Sequence, residues 1–129
     1  MQLEKISAEW VESGNQDLAS AVFLMNMRPI PLEIVGFLCR QSVEKYLKAF
    51  IVSKNVEPEK THDLLFLPKA CTEFDEEFFT LTDACARLTD YAVKVRYPHP
   101  GVLDEAAVKS GLSQATVAVR FIEKKLRDR

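Results

Sequence analysis

Phe74-Asp75-Glu76-Glu77-Phe78-Phe79-Thr80-Leu81-Thr82-Asp83-Ala84-Cys85-Ala86-Arg87-Leu88-Thr89-Asp90-Tyr91-Ala92-Val93-Lys94-Val95 is the stretch on which the fold turns. Its apolar positions Phe74, Phe78, Leu81, Cys85, Leu88, Ala92 and Val95 recur by strict steps of four and three. That spacing brings them to one side of a helix, and a seam of this kind packs the antiparallel helices of a bundle. Pro98, Pro100 and Gly101 stop the pattern, because proline clashes with the preceding turn and lacks an N–H.

The same spacing continues outward in both directions. Downstream, Val108, Leu112, Ala115, Val119, Ile122 and Leu126 mark a last helix. Its basic end, with Lys124, Lys125, Arg127 and Arg129, suits the negative pole of the helix dipole. Upstream, Thr61 is positioned to cap a short helix over Asp63-Leu64-Leu65-Phe66-Leu67, which Pro68 would end or kink. Before it, Val35, Cys39, Val43, Tyr46 and Phe50 advance by 4, 4, 3 and 4 along a helix that Pro29 and Pro31 can open. Leu3, Ile6, Trp10, Ala21 and Leu24 predict a first helix over residues 3–27. Gly14 lies inside it and costs about 1 kcal/mol relative to alanine, which points to a close packing contact there. Strand-like alternation is scarce. The expected fold is all-α, an antiparallel up-and-down bundle of four long helices plus one short one, with residues 1–129 as a single domain.

Composition agrees with a folded domain and excludes several classes. The 129 residues are 47% hydrophobic and 28% charged with four glycines, an ordinary balance for a chain with one core. No apolar run approaches the roughly 18 residues that cross a bilayer, and Met1-Gln2-Leu3-Glu4-Lys5 has no signal-peptide core. The expected location is the cytoplasm. The three cysteines, Cys39, Cys71 and Cys85, form no CxxC pair and read as packing residues rather than a disulfide or zinc framework. A net charge of −2 gives no global pull on nucleic acid, so any phosphate contact must come from a local patch. Glycine-rich phosphate loops, GxSxG and paired metal motifs are absent, so no cofactor or metal is indicated. Glu59-x-x-His62 is a single copy at a proline-flanked position and reads as a capping or hydrogen-bonding histidine.

Three groups of polar residues stand out. Asp17 lies seven residues after Trp10 and seven before Leu24, and seven helical positions return to within about 20° of the start. A carboxylate in that apolar stripe needs a partner. It is either a structural ion pair or the group that orients a cation at a site between helices. The second helix carries Arg40, Gln41, Glu44, Lys45 and Lys48. Arg40, Glu44 and Lys48, four apart, can form an ion-pair ladder, or the face can hold a phosphate. In Tyr91–Pro100, Lys94, Arg96, Tyr97 and His99 meet a stiff proline-rich bend. The cations can serve the helix dipole there. Alternatively, Arg96 can neutralise a phosphate and His99 can transfer a proton.

Taken together, four stretches resemble the HEPN family (higher eukaryote and prokaryote nucleotide-binding domains). They are Trp10 followed by Gln16-Asp17-Leu18-Ala19-Ser20-Ala21; Phe37 to Phe50 with its Arg40-Gln41-Ser42-Val43-Glu44-Lys45-Tyr46; Thr61-His62-Asp63-Leu64; and Arg96-Tyr97-Pro98. The resemblance runs in order from about Trp10 to Ala118. It implies a helical bundle, commonly a homodimer with a site at the subunit interface. Many family members are metal-independent ribonucleases, often toxins or defence effectors. Others are paired with a small nucleotidyltransferase encoded beside them. The nuclease members carry Arg, four to six residues, then His. Here His99 follows Arg96 by three and positions 101–103 are Gly, Val and Leu, so the chain departs from that motif.

The expectation drawn from this resemblance is a module that binds a nucleotide or RNA phosphate, as a homodimer with a nucleotidyltransferase-type partner in a toxin–antitoxin or defence-like system. Arg96 faces the phosphate, and the binding residues are Asp17, Arg40, Gln41, Glu44, Lys45, Lys48 and Tyr97. Two alternatives stand beside it. One is a metal-independent endoribonuclease using Arg96 and His99; the other is a non-catalytic helical interaction domain. Surplus aromatics in the second and fourth helices imply a further face to bury.

Overall fold

In the computed structural model the backbone is described for residues 2–96 and 104–128, and side chains for residues 4–90 and 104–128. The helices are α1 (Gln2–Leu24), α2 (Leu32–Ser53), α3 (Phe66–Thr72), a 3-10 segment (Glu76–Leu81), α4 (Thr82–Arg96) and α5 (Glu105–Arg127). Four long helices and one short one therefore make the bundle, with no strand among the described residues.

Helix α2 is the centre. Pro31 stands at its N-cap, as its fixed φ allows, and the helix buries Val35, Cys39, Val43, Tyr46, Leu47, Phe50 and Ile51. Residues around it are drawn from every other helix, and they join in one continuous core. The ring of Phe78 in the 3-10 segment lies tilted at 4.3 Å from that of Phe50 of α2 and meets Phe121 of α5 edge-to-face at 5.2 Å. Burying each such ring contributes about 1.5–3 kcal/mol.

Helix α1 lies antiparallel on α2. Near its start Ser7 Oγ donates to the Ala49 carbonyl at 2.9 Å, and further on Tyr46 Oη donates to Asn15 Oδ1. The deeply buried line of α1 is Ser7, Gly14 and Ala21; of the expected face only Ala21 lies in it, and the line of Trp10, Asp17 and Leu24 stands three positions further on along the helix. The reason is proximity. A Cβ on Gly14 would stand 2.8 Å from Tyr46 Cδ2 and 3.2 Å from the Ser42 carbonyl, so small residues face α2 and larger ones flank the contact. The close packing contact expected at Gly14 is present.

Three element boundaries differ from the spacing-based expectation: α1 ends at Leu24, not 27, where the Met25, Asn26 and Met27 N–H groups turn back to the Val22, Phe23 and Leu24 carbonyls. The short helix begins at Phe66, not Asp63, and runs through Pro68 to Thr72. Asp63 spends its carboxylate on the Leu65 N–H at 2.8 Å in a turn, and Pro68 sits in the first helical turn, where a missing N–H costs nothing. The seam at 74–95 is not one helix either. Asp75 Oδ1 accepts from the Glu77 N–H at 3.0 Å and starts a 3-10 turn ahead of α4, leaving Phe74 outside the core.

Candidate functional site

Helix α2 ends at Ser53, and Asn55 follows in the left-handed region at φ 64°, a conformation asparagine tolerates better than most residues. This turn sends residues 56–62 back along the bundle, so that His62 returns to the middle of α2. There His62 Nδ1 lies 2.8 Å from Glu44 Oε2, and Arg40 Nη2 donates to the His62 carbonyl at 2.6 Å. The Thr61-His62-Asp63-Leu64 stretch is thus clamped onto the polar ladder of α2. Thr61 Oγ1 accepts from the Asp63 N–H, and Leu64 is buried in the core.

Glu44 is the hub of this cluster. It is only 2% exposed, yet it carries a carboxylate, and three cationic or potentially cationic groups surround it. Arg40 Nη1 is 3.8 Å from Oε1, Lys48 Nζ is 3.3 Å from Oε2, and the His62 ring shares Oε2. Lys48 is itself 5% exposed, with its ammonium 5.4 Å from the centroid of the Trp10 ring. Removing such charges from water costs several kcal/mol per ion, so each depends on the others. Glu44 Oε1 and Arg40 Nε are buried without a hydrogen-bond partner among the described residues.

Asp17 and Lys45 form a separate pair. Lys45 Nζ is 2.7 Å from Asp17 Oδ2 and donates to Ser13 Oγ at 2.7 Å. Asp17 therefore has the partner its position demanded, a lysine of α2. Gln41 is half-buried one turn before Lys45. Of the residues singled out in the sequence, Arg40, Glu44 and Lys48 come together on one face of α2, and Asp17 with Lys45 on another. Arg96 is the last residue of α4; its side chain, with Tyr97 and His99, lies outside the described residues.

Below the Glu44 cluster a groove of about 700 Å³ opens between the first half of α1, the last turns of α2 and the 55–62 connection. Ile6, Trp10, Val52, Val56 and Pro58 give it an apolar wall, and Lys48 and His62 join it to the cluster. Spacing in the sequence missed both this groove and the pairing of His62 with Glu44. The signal for the groove was the mismatch on α1, where large Ile6 and Trp10 lie beside the tight stripe instead of in it.

A sequence model of the HEPN domain matches residues 7–125, nearly the whole chain. The chain belongs to the HEPN domain family. TT1696 from Thermus thermophilus, known from its crystal structure, has a similar fold at 21% identity, with a TM-score of 0.76 over 92% of this chain and 97% of that one. No curated protein matches the sequence. Two of the four stretches that carry the HEPN resemblance, the α2 ladder and Thr61–Leu64, meet at Glu44. Among the described residues no helix is long and apolar enough to cross a membrane, and no group of three or more His, Cys, Asp or Glu side chains could hold a metal ion.

Proposed function

We propose that this HEPN chain binds a nucleotide or an RNA phosphate in the cytoplasm, as a homodimer working with a nucleotidyltransferase-type partner in a toxin–antitoxin or defence-like system. The observation that carries the reading is the buried carboxylate of Glu44 held among Arg40, Lys48 and His62 beside an apolar groove that Trp10 lines. Glu44 and Lys48 are both buried, at a cost of several kcal/mol per ion that packing alone does not call for, and cationic groups braced in this way are prepared for an anion. Arg96 is assigned as the phosphate-facing cation on its resemblance to the family's Arg-Tyr-Pro, with Asp17, Glu44 and Lys45 setting charge and orientation. The homodimer is supported by Phe37, Phe74 and Phe79, which stand exposed to a degree unusual for phenylalanine.

Calorimetric titration with adenosine 5′-monophosphate and with a short single-stranded RNA at low salt tests the reading. Binding that weakens at least tenfold in Arg96→Ala and declines with added salt supports it. Undetectable binding of both ligands overturns it in favour of a non-catalytic interaction domain. RNA cleavage in the presence of a chelator, lost in both Arg96→Ala and His99→Ala, would replace it with the ribonuclease reading, in which His99 moves the proton of a 2′-hydroxyl and Arg96 stabilises the phosphate charge.

A further inference from the structure

We infer that the groove between α1 and the 55–62 connection is a subsite for one nucleoside monophosphate unit, its base lying on the indole of Trp10 and its phosphate taken by the Lys48 ammonium with His62 at the rim. The inference rests on the nucleotide-binding reading above and adds to it a place and a polarity.

Three observations meet in this groove. Its volume of about 700 Å³ lies inside the roughly 300–1,000 Å³ range of small-molecule sites. Its wall is apolar, with one large aromatic, Trp10, flanked by Ile6, Val52 and Val56, which suits the face of a planar ring and is indifferent to which base it is. At its inner end is Lys48, 5% exposed and lining the groove. Lys48 Nζ makes one hydrogen bond, to Glu44 Oε2 at a long 3.3 Å. The ammonium also stands 5.4 Å from the centroid of the Trp10 ring, and among the described residues it has no second hydrogen-bond acceptor. A desolvated ammonium short of acceptors, at the end of an apolar wall, selects a ligand that is flat at one end and anionic at the other. His62, with its ring against Glu44, lines the same groove at the rim. Glu57 and Glu59 also line the groove, with Lys60 beside them, and all three are exposed.

Trp10 is the single tryptophan of the chain, so its fluorescence reports directly on the wall. The protein is titrated with adenosine and uridine 5′-monophosphates, with adenosine, with inorganic phosphate, with decanoate and with a short RNA, while calorimetry follows total binding. The expected result is saturable quenching by the monophosphates, at least tenfold weaker for adenosine and absent for phosphate alone. Lys48→Met and Val56→Glu should each weaken it at least tenfold. Val56 is 41% exposed and lines the apolar wall, so the second variant puts a polar carboxylate where the base would lie, without disturbing the core. Quenching by monophosphates identifies a free nucleotide as the source, and quenching by RNA alone identifies a nucleotide of a strand; either supports the subsite. Calorimetric binding that leaves Trp10 fluorescence and both variants unaffected overturns the subsite while the proposed function stands. Quenching by decanoate and by no nucleotide also overturns it. No calorimetric binding at all overturns both.

Discussion

At Gly14 two effects of one methyl group oppose each other. Alanine would gain about 1 kcal/mol of helix propensity, but its Cβ would stand 2.8 Å from Tyr46 Cδ2, on a ring that is fully buried and hydrogen-bonded to Asn15. Overpacking of this kind costs about 1–3 kcal/mol, and a buried ring held at its hydroxyl cannot swing aside. Gly14→Ala should therefore lower stability by up to about 2 kcal/mol in urea unfolding, the difference between those terms; a stabilising result would show that α1 can lift from α2. The three cysteines give a second test. Burial pushes the thiols of Cys39, Cys71 and Cys85 up to about 12 from an ordinary 9.0, and Cys85 adds to the effect at Cys71. Folded-state values above the unfolded one mean that their contribution to stability is complete below pH 9 and is lost as the pH rises from 9 toward 12. All three should resist a thiol reagent at pH 8 in the native protein and react in guanidinium. Both features were legible in the sequence, Gly14 as an oddity inside a helix and the cysteines as packing residues. The partner of Asp17 was not. Helical periodicity gives the direction a side chain faces, and Lys45 faces it from a helix whose rotation about its own axis is set only by packing.

At the scale of elements, spacing in steps of three and four located every long helix and could not see where one kind of turn gives way to another. A 3-10 turn repeats every three residues, so Phe78 to Leu81 by three and Leu81 to Cys85 by four read as one uninterrupted seam. The junction is written instead in Asp75. Its carboxylate caps the 3-10 segment and lies 2.7 Å from Lys125 Nζ, which ties the start of that segment to the last turn of α5. The hydrogen bond from Lys125, followed by the one from the Glu77 N–H, holds the Asp75 carboxyl below its ordinary 3.8. A depressed folded-state value contributes stability that is present above pH 3.8 and is lost as the pH falls through the folded value. Asp75→Ala should thus lower stability by about 0.5–2 kcal/mol at neutral pH, with the gap to the unsubstituted protein shrinking in urea unfolding repeated at pH 3. A gap that stays constant with pH would show that the carboxylate acts through shape and not through charge. The short helix carries the same lesson. Asp63 and Pro68 are both good helix-start residues, but the turn after Thr61 used the aspartate first and pushed the start to Phe66.

Over the whole molecule, α2 is enclosed by every other helix, while the 55–62 connection lies over one end of it on polar contacts. Bundles of this kind open from the outside, because a segment held by few buried apolar groups can detach without exposing the rest. Buried positions from Tyr46 to Ile51 sit among side chains from α1, α3, the 3-10 segment and α5, so their amides can exchange only when the entire core separates. Native-state hydrogen exchange should show amides 46–51 as the slowest of the chain, with protection equal to the global unfolding free energy, and amides 56–62 as faster by several orders of magnitude. The second half of that expectation bears on function. Arg40 and Glu44 anchor the connection only through His62, so a ligand that fills the groove and pairs with Lys48 should slow exchange across 56–62 selectively, leaving 46–51 shifted only by the added binding energy. If 56–62 already exchanges as slowly as the core in the free protein, the connection is part of the rigid bundle. The groove would then be a fixed surface feature with no ordering to give a ligand.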